Sequence, residues 1–182
     1  GFTRFFVARS LGALGTIDVP FYVLFAGEVV GLSGTNLGIL SLSFLLSQTA
    51  TNLGWGALAD KTGNRFVFIA TLVTWILSTV LLFFANDIIL LGLVFAGLGA
   101  GLGGFQISSQ NMVLEFGDRQ DLPMRIAISN MGNSFMMGLG PLMGGFVALW
   151  FSYAAVFWCA MAFMCIALLM VALLIDEPRN RS

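Results

Sequence analysis

Long apolar stretches separated by short polar ones dominate the chain. Each of the six apolar segments reaches the roughly 20 residues that an α-helix needs to cross about 30 Å of hydrocarbon. None of them alternates polar and apolar residues as a membrane strand does. The pattern therefore predicts six transmembrane helices, over residues 5–27, 37–58, 66–85, 88–111, 125–150 and 153–175.

The connections between these segments are short and rich in turn-forming residues. "GLSGTN" precedes the second segment, "DKTGN" the third and "GDRQDLP" the fifth. In the last of these, Asp121 followed by Pro123 is typical of a helix start. The first segment is too long for a cleavable signal peptide, and no small-residue cleavage site follows it. We therefore predict one compact all-α domain, a six-helix bundle over residues 1–182.

Composition places this bundle in a membrane. The chain is 58% hydrophobic and only 9% charged, whereas soluble domains carry about 25% charged residues. It has no histidine, and its two cysteines, Cys159 and Cys165, have no metal-ligand spacing. We predict an integral membrane protein that is not an enzyme and has no cofactor. Its predicted partners include the lipid bilayer but no nucleic acid.

The basic residues indicate the orientation. All eight lie at alternate ends of the predicted spans, whereas the opposite ends carry only Glu28 and Asp87. Because positive residues remain on the cytoplasmic side, both termini and the 2–3 and 4–5 loops are predicted to be cytoplasmic, in a cell membrane (plasma or inner). The eight residues are Arg4, Arg9, Lys61, Arg65, Arg119, Arg125, Arg179 and Arg181.

The loop between the second and third segments, "GWGALADKTGNRF", concentrates charge and glycine. Gly63 permits a left-handed turn. Asp60 suits the positive N-terminal end of a neighbouring helix, and Lys61 and Arg65 suit carboxylates or lipid phosphates. The loop is either a latch that closes the cytoplasmic ends of the helices or an ordinary positively charged loop.

This loop resembles a sequence motif of a known family. Gly56, Asp60, Lys61, Gly63 and Arg65, together with the leucine at 58, follow the pattern G-x-L-x-D-[RK]-x-G-x-[RK] of the 2–3 loop of the major facilitator superfamily. The same pattern recurs in that family's 8–9 loop. The chain departs from it at position 64, where the family often has a basic residue and this sequence has asparagine.

Two further stretches extend the resemblance. "GLGPLMGG" in the fifth segment is similar to the G-x-G-P-x-x-G-G motif of proton-coupled drug exporters in that superfamily, and "DEPRNRS" resembles the end of a six-helix half. Pro141 removes a helix hydrogen bond, and the glycines allow close approach of a neighbouring helix. The predicted bend and packing positions here are Gly138, Gly140, Pro141, Gly144 and Gly145.

The fourth segment contains two interleaved pairs of glycines at helical spacing, Gly97 with Gly101 and Gly99 with Gly103. Such pairs favour close helix packing. Many family members have an intramembrane arginine four residues before the first of these glycines, but this chain has Leu93. That difference, and the end of the chain after the sixth segment, lead us to expect the second half of a twelve-helix transporter.

Polar residues inside the apolar segments are the candidates for a translocation path. They occur in pairs on three helices, and in lipid they need partners on other helices or in a wet cavity. They serve either as interhelical hydrogen bonds or as solute contacts, and the sequence favours neither. The candidates are Gln48 and Asn52, Gln106 and Gln110, and Asn130 and Asn133.

Asp18 is the acid placed deepest in an apolar segment. It lies near the predicted midplane, two residues before the helix-bending Pro20, and nine residues from Arg9, half a turn out of phase with it. An intramembrane carboxylate is costly, so it should face protein or water. A coupling proton, a bound cation and a structural contact are the alternatives for its role.

The resemblance implies a secondary active transporter, either a permease or an exporter, that moves a small solute by alternating access. Family members consist of two six-helix halves, each built from two three-helix repeats. No phosphate-binding loop for ATP is present, so the energy would come from an ion gradient, such as one of protons, or from the gradient of the substrate itself. The partner would be the missing half or a second copy of this chain. The alternatives are a non-transporting scaffold or sensor subunit and a channel-like homo-oligomer.

Overall fold

A computed structural model describes residues 2–116 and 121–175 of the chain. Within these residues all regular structure is helical. A 3₁₀ turn, Gly15–Asp18, joins α1 to α2, so the first two helices form one rod. The helices are α1 (Phe2–Leu14), α2 (Val19–Val30), α3 (Gly34–Thr62), α4 (Asn64–Leu82), α5 (Ile88–Glu115), α6 (Leu122–Trp150) and α7 (Tyr153–Leu174). The prediction of an all-helical protein is confirmed.

The described residues thus form six helical rods, each overlapping one predicted span. Four of the rods are both long and apolar enough to cross a membrane: Phe2–Val30, Asn64–Leu82, Ile88–Glu115 and Tyr153–Leu174. The other two, α3 and α6, have 29 residues each. They have the length but are less apolar than these four rods, and they carry four of the predicted candidates for the translocation path: Gln48, Asn52, Asn130 and Asn133.

Local hydrogen bonds fix where the helices begin. The side chains of Ser33, Asp87 and Ser152 accept hydrogen bonds from backbone amides in the first turns of α3, α5 and α7, with donor–acceptor distances of 3.1, 2.7 and 3.2 Å. Such N-caps satisfy amides that have no partner within the helix. Gly63, with φ +91°, separates α3 from α4 on its own. These residues set helix ends that an apolar pattern leaves open by several residues.

The rods pack in an interleaved order. α5 packs against α3 and α4, while the α1–α2 rod packs against α6 and α7, and α4 contacts α7. Aromatic side chains fill the centre, with edge-on or tilted ring contacts such as Phe68 with Phe105 and Tyr22 with Phe157. The core therefore lies between the α1–α2 rod, α4, α5 and α7, whereas most of α3 and α6 remains exposed.

Glycines let two pairs of backbones approach closely. A Cβ atom added at Gly101 of α5 would lie 2.9 Å from the backbone nitrogen of Trp75, and one at Gly97 would collide with the Ser78 hydroxyl. On α6, a Cβ at Gly144 would lie 2.8 Å from the carbonyl oxygen of Ile17 and one at Gly140 would lie 3.3 Å from its nitrogen. By contrast, Cβ atoms at Gly138 and Gly145 would meet no described atom within 4 Å.

The bundle has one end rich in basic residues, called here the basic end. It contains the start of α1, the α3–α4 junction, the end of α5, the start of α6 and the end of α7, which contact one another through Phe2, Arg65, Phe116 and Arg125. Glu28 and Asp87 lie at the opposite end.

Candidate functional site

The α3–α4 junction holds the residues of the predicted gating loop. Gly63 closes α3 with a hydrogen bond from its amide to the carbonyl oxygen of Ala59, at 2.8 Å. Its positive φ is the left-handed region that favours glycine, so the turn depends on this residue. Asp60 and Lys61 are exposed, and Gly56 has no described atom near its missing Cβ. The junction presents its charges at the surface of the basic end.

Arg65 connects this junction to the last helix. Its Nε and Nη2 atoms donate hydrogen bonds to the carbonyl oxygens of Val171 and Ala172, at 3.2 and 2.7 Å. These carbonyls belong to the last turn of α7, where the helix dipole favours a positive charge. Arg65 therefore holds the end of α7 at the basic end of the bundle.

Asn64, the position that departs from the family pattern, lies in a buried amide–carboxylate network. Its Nδ2 donates to Oε1 of Glu115 at 2.7 Å, and its Oδ1 accepts from Nδ2 of Asn111 at 3.3 Å. A neutral amide thus binds the carboxylate at the end of α5. Glu115 was not among the predicted site residues, although its place four residues after Asn111, at the end of the polar run on α5, was a usable signal.

Gln48 and Asn52 lie on the face of α3 that packs against α5. A Cβ at Gly103 of α5 would lie 2.6 Å from Oδ1 of Asn52 and 2.8 Å from Cγ of Gln48. Both side chains are half-buried, and Oδ1 of Asn52 has no hydrogen-bond partner among the described residues. The structure brings these two predicted residues together in the seam between α3 and α5.

Gln110 and Asn130 line one cavity of about 200 Å³ between α1, α5 and α6. Both are exposed, whereas Gln106, one turn earlier on α5, is half-buried and does not line the cavity. Asn133, one turn further along α6, donates instead to Sδ of Met137 at 3.3 Å. Of the four predicted amides on α5 and α6, two therefore line the same cavity, together with Asn111 of α5.

Arg9 forms part of the wall of the same cavity, although it was not among the residues predicted for the site. Its side chain is 3% exposed. Its Nη1 donates to the Ser129 hydroxyl and its Nη2 to Oδ1 of Asn130, the latter at 3.3 Å. The signal was present in the spacing: Phe5, Ala8, Arg9 and Gly12 follow the one-face pattern of a helix, and all four are buried.

Asp18 lies in a different environment, inside the core of the bundle. It ends the 3₁₀ turn and is 0% exposed, and neither of its carboxylate oxygens has a hydrogen-bond partner among the described residues. Beside it, the Thr79 hydroxyl lies 3.0 Å from the carbonyl oxygen of Trp75 and shares a 2.6 Å hydrogen bond with Tyr22 Oη, in which either hydroxyl can donate. Pro20 occupies the first turn of α2, directly after the 3₁₀ turn. Asp18 thus does not share the cavity of Arg9, Gln110 and Asn130.

Comparison with known proteins agrees with this architecture. The family model of the Major Facilitator Superfamily matches residues 5–182. The quinolone resistance protein NorA of Staphylococcus aureus (strain MRSA252) is 29% identical to the chain over 183 residues, which cover 98% of this chain and 45% of NorA. The multidrug resistance protein MdtG of Klebsiella pneumoniae (strain 342) is 29% identical over 171 residues, 91% of this chain and 41% of MdtG.

The chain spans about half the length of the curated relatives it matches. The match of the family model runs through every helix described above, including the α3–α4 junction with its glycine and charges and the glycine-proline stretch of α6. The predictions of a transporter family and of a protein that is not an enzyme are confirmed. This chain belongs to the major facilitator superfamily.

Proposed function

We propose that this chain is one six-helix half of a secondary transporter that exports a small drug-like solute by alternating access. The observation that carries the proposal is the interleaved packing of two helix triplets. The first triplet consists of the α1–α2 rod, α3 and α4, and the second of α5, α6 and α7. The first rod of each triplet packs against the second and third rods of the other.

This exchange is the packing that two inverted three-helix repeats produce in this family. α5 packs against α3 and α4, just as the α1–α2 rod packs against α6 and α7. α4 and α7, the last rods of the two triplets, contact each other as two equivalent elements do. The arrangement therefore supports six spans in a 3+3 repeat, with α3 and α6 as the two less apolar spans.

The exposure of α3 and α6 supports a partner beside them. Only Leu40 and Ala59 are buried on α3, and only Ser129, Gly140 and Gly144 on α6. The amides Gln110 and Asn130 are also open on this chain alone. We propose that a second six-helix half covers this face and shares a central solute path with it. Leu93, in place of the family's intramembrane arginine, favours this chain as the second half of the transporter.

The basic end is proposed to face the cytoplasm. Asp60, Lys61 and Arg65 then lie on the cytoplasmic surface at a one-residue turn between two long helices. A turn held by Gly63 and anchored to α7 through Arg65 moves with the helix ends rather than independently of them. This coupling supports the gating role of the loop.

Asp18 is proposed to carry the coupling proton. A carboxyl group that is fully buried, with no hydrogen-bond partner for either oxygen among the described residues, is stable mainly in its neutral, protonated form. Release of its proton requires water or a cation, so the core around the 3₁₀ turn must open for the proton to leave. The break in regular helix at Gly15–Asp18 supplies a place for that opening.

Drug accumulation in cells tests the proposal. Cells express the complete coding sequence that contains this chain, and uptake of a quinolone and of ethidium is followed with and without a protonophore. We expect lower accumulation than in cells without the protein, abolished by the protonophore and by Asp18→Asn. A scaffold subunit would leave accumulation unchanged, and a channel would let the solute equilibrate with no effect of the protonophore. Either result would refute the proposed export.

A further inference from the structure

The cavity beside Arg9 brings a buried cation into a lining of neutral amides. Arg9 from α1, Gln110 and Asn111 from α5 and Asn130 from α6 surround about 200 Å³, and Ile126 is among the apolar side chains that complete the wall. A water molecule occupies about 30 Å³ in the liquid. The cavity is therefore large enough for a small organic anion but not for a whole drug molecule.

The positive charge of Arg9 is not neutralised by any residue that the structure describes. Its two hydrogen-bond acceptors, Ser129 and Asn130, are uncharged, and no ion pair of Arg9 occurs within residues 2–116 and 121–175. Arginine stays protonated in proteins, and a buried charge is normally paired. An anion that binds in the cavity would therefore neutralise the charge of Arg9.

The hydrogen-bond geometry shows which edge of the guanidinium lacks strong partners. Nη1 is engaged by Ser129, whereas Nε is buried and has no partner among the described residues, and Nη2 reaches Asn130 only at 3.3 Å. That distance lies just outside the usual range for such bonds. Nε and Nη2 form one side of the planar group and present two parallel N–H donors, which is the fork that a carboxylate binds with both oxygens.

We propose that this cavity is a binding site for the carboxylate group of a transported solute. The site rests on the proposed transport function, since it assigns to that function a chemical class of solute. Arg9 binds the carboxylate with Nε and Nη2, while Gln110 and Asn130 at the exposed side of the cavity supply further polar contacts. Asn130 gives up its weak bond to Nη2 when the anion arrives.

The cavity lies toward the basic end of the bundle, because α1 and α6 begin there and α5 ends there. A solute anion that enters from that end meets Gln110 and Asn130 before it reaches Arg9. Asp18, nine residues further along the first rod, has no part in the site. Carboxylate binding and proton coupling are thereby assigned to different residues and can be tested separately.

Calorimetric titration of the purified product of the complete coding sequence, in nanodiscs of zwitterionic phosphatidylcholine, tests the site. Benzoate is the probe, and benzamide is its neutral counterpart of the same shape. We expect saturable binding of benzoate and none of benzamide at the same concentrations. The zwitterionic lipid removes anionic headgroups as competitors for Arg9.

Three variants connect the binding to Arg9. Arg9→Gln removes the charge, and Gln110→Glu places a carboxylate beside Arg9 while leaving the bonds of Arg9 to Ser129 and Asn130 intact. We expect each to weaken benzoate binding at least tenfold. Arg4→Gln, which removes an exposed arginine from the same helix, is expected to leave it unchanged. Gln110 is exposed, so Gln110→Glu keeps the test valid even where Arg9→Gln does not fold.

The outcomes separate the site from the transport function. Equal binding of benzoate and benzamide, no binding of benzoate to the unmodified protein, or benzoate binding by a folded Gln110→Glu variant equal to that of the unmodified protein would each overturn the proposed site. Drug export measured on the same proteins gives an independent result. Export with no benzoate binding leaves the transport function standing and removes only the carboxylate site.

Discussion

Arg9 and Asp18 are two buried charges on one rod, yet their surroundings differ in kind. Arg9 lies beside a cavity, between α1, α5 and α6, and its acceptors are a hydroxyl and an amide. Asp18 lies in a closed core, next to Tyr22 and Thr79, and neither of its oxygens has a described partner. Both charges cost free energy in a membrane, but only Arg9 is next to space that a ligand can fill.

The difference shows how one helix can separate two tasks. A buried charge next to a cavity can be neutralised by a ligand of opposite charge. A buried carboxylate without a cavity beside it can be neutralised by a proton, which needs no additional space. The 3₁₀ turn at Gly15–Asp18 divides the rod between these two surroundings. On this basis Arg9 is assigned to the solute and Asp18 to coupling.

Replacement of Asp18 by lysine should have the largest effect on stability. A lysine at this position places a cation in the closed core, where the side chain is shielded from solvent. We expect a loss of more than about 3 kcal/mol in the free energy of unfolding, because an unpaired buried charge costs that much. Size-exclusion profiles and thermal unfolding in detergent measure it. Gln110→Lys, at the exposed side of the cavity, is the control and should fold normally; equal stability of the two variants would show that the core is not closed.

Neutralisation of each charge sharpens the comparison. Arg9→Gln loses the charge-assisted bonds to Ser129 and Asn130, so we expect a destabilisation of about 1.5–3 kcal/mol. Asp18→Asn replaces a carboxyl group that has no partner, and we expect a change of less than about 1 kcal/mol with loss of proton-dependent export. Thermal unfolding in detergent measures the first effect and drug accumulation the second. A larger destabilisation by Asp18→Asn than by Arg9→Gln would reverse the assigned roles.

The sequence predicted the rods better than it predicted the surroundings of these charges. The apolar runs and the turn residues Gly63, Ser33 and Asp87 indicate where helices begin and end because these signals are local. Whether Asp18 faces a path or a core depends on how α4 and α7 pack against the rod, which no local pattern encodes.

Other parts of the site were predictable to different degrees. Arg9 could have been recognised as buried, since the spacing of Phe5, Ala8 and Gly12 places it on the packed face of α1. The partners of Arg9 are 120 residues or more away along the chain. A single sequence, taken by itself, does not show which distant residues are in contact. The role of Asn64 likewise depends on Glu115, which α5 brings back to the basic end.

Removal of the Tyr22 hydroxyl should have a smaller effect, confined to the core around Asp18. In Tyr22→Phe the ring keeps its contacts with Phe95 and Phe157, but the 2.6 Å hydrogen bond to Thr79 is lost. We expect about 1 kcal/mol of destabilisation, the usual value for one such bond, and unchanged benzoate binding at Arg9. Thermal unfolding and calorimetric titration of the same preparation check both. A change in benzoate affinity would mean that the two surroundings are coupled rather than separate.

Replacement of Arg65 has the smallest predicted effect. It also tests whether benzoate binding depends on Arg9 and its cavity or on positive charge in general. Arg65 is also a partly buried arginine, but its donors are taken up by two carbonyls at the end of α7. A cation at a helix C-terminus contributes about 0.3–1 kcal/mol. Arg65→Gln should therefore lower thermal stability by that amount in low salt and by less in high salt, since such interactions are screened. It should leave benzoate binding intact, because Nε and Nη2 of Arg65 already donate to carbonyls at the negative end of the α7 dipole. If Arg65→Gln weakened benzoate binding as much as Arg9→Gln, the anion would be responding to the overall positive field of the basic end, and the cavity beside Arg9 would not be the binding site.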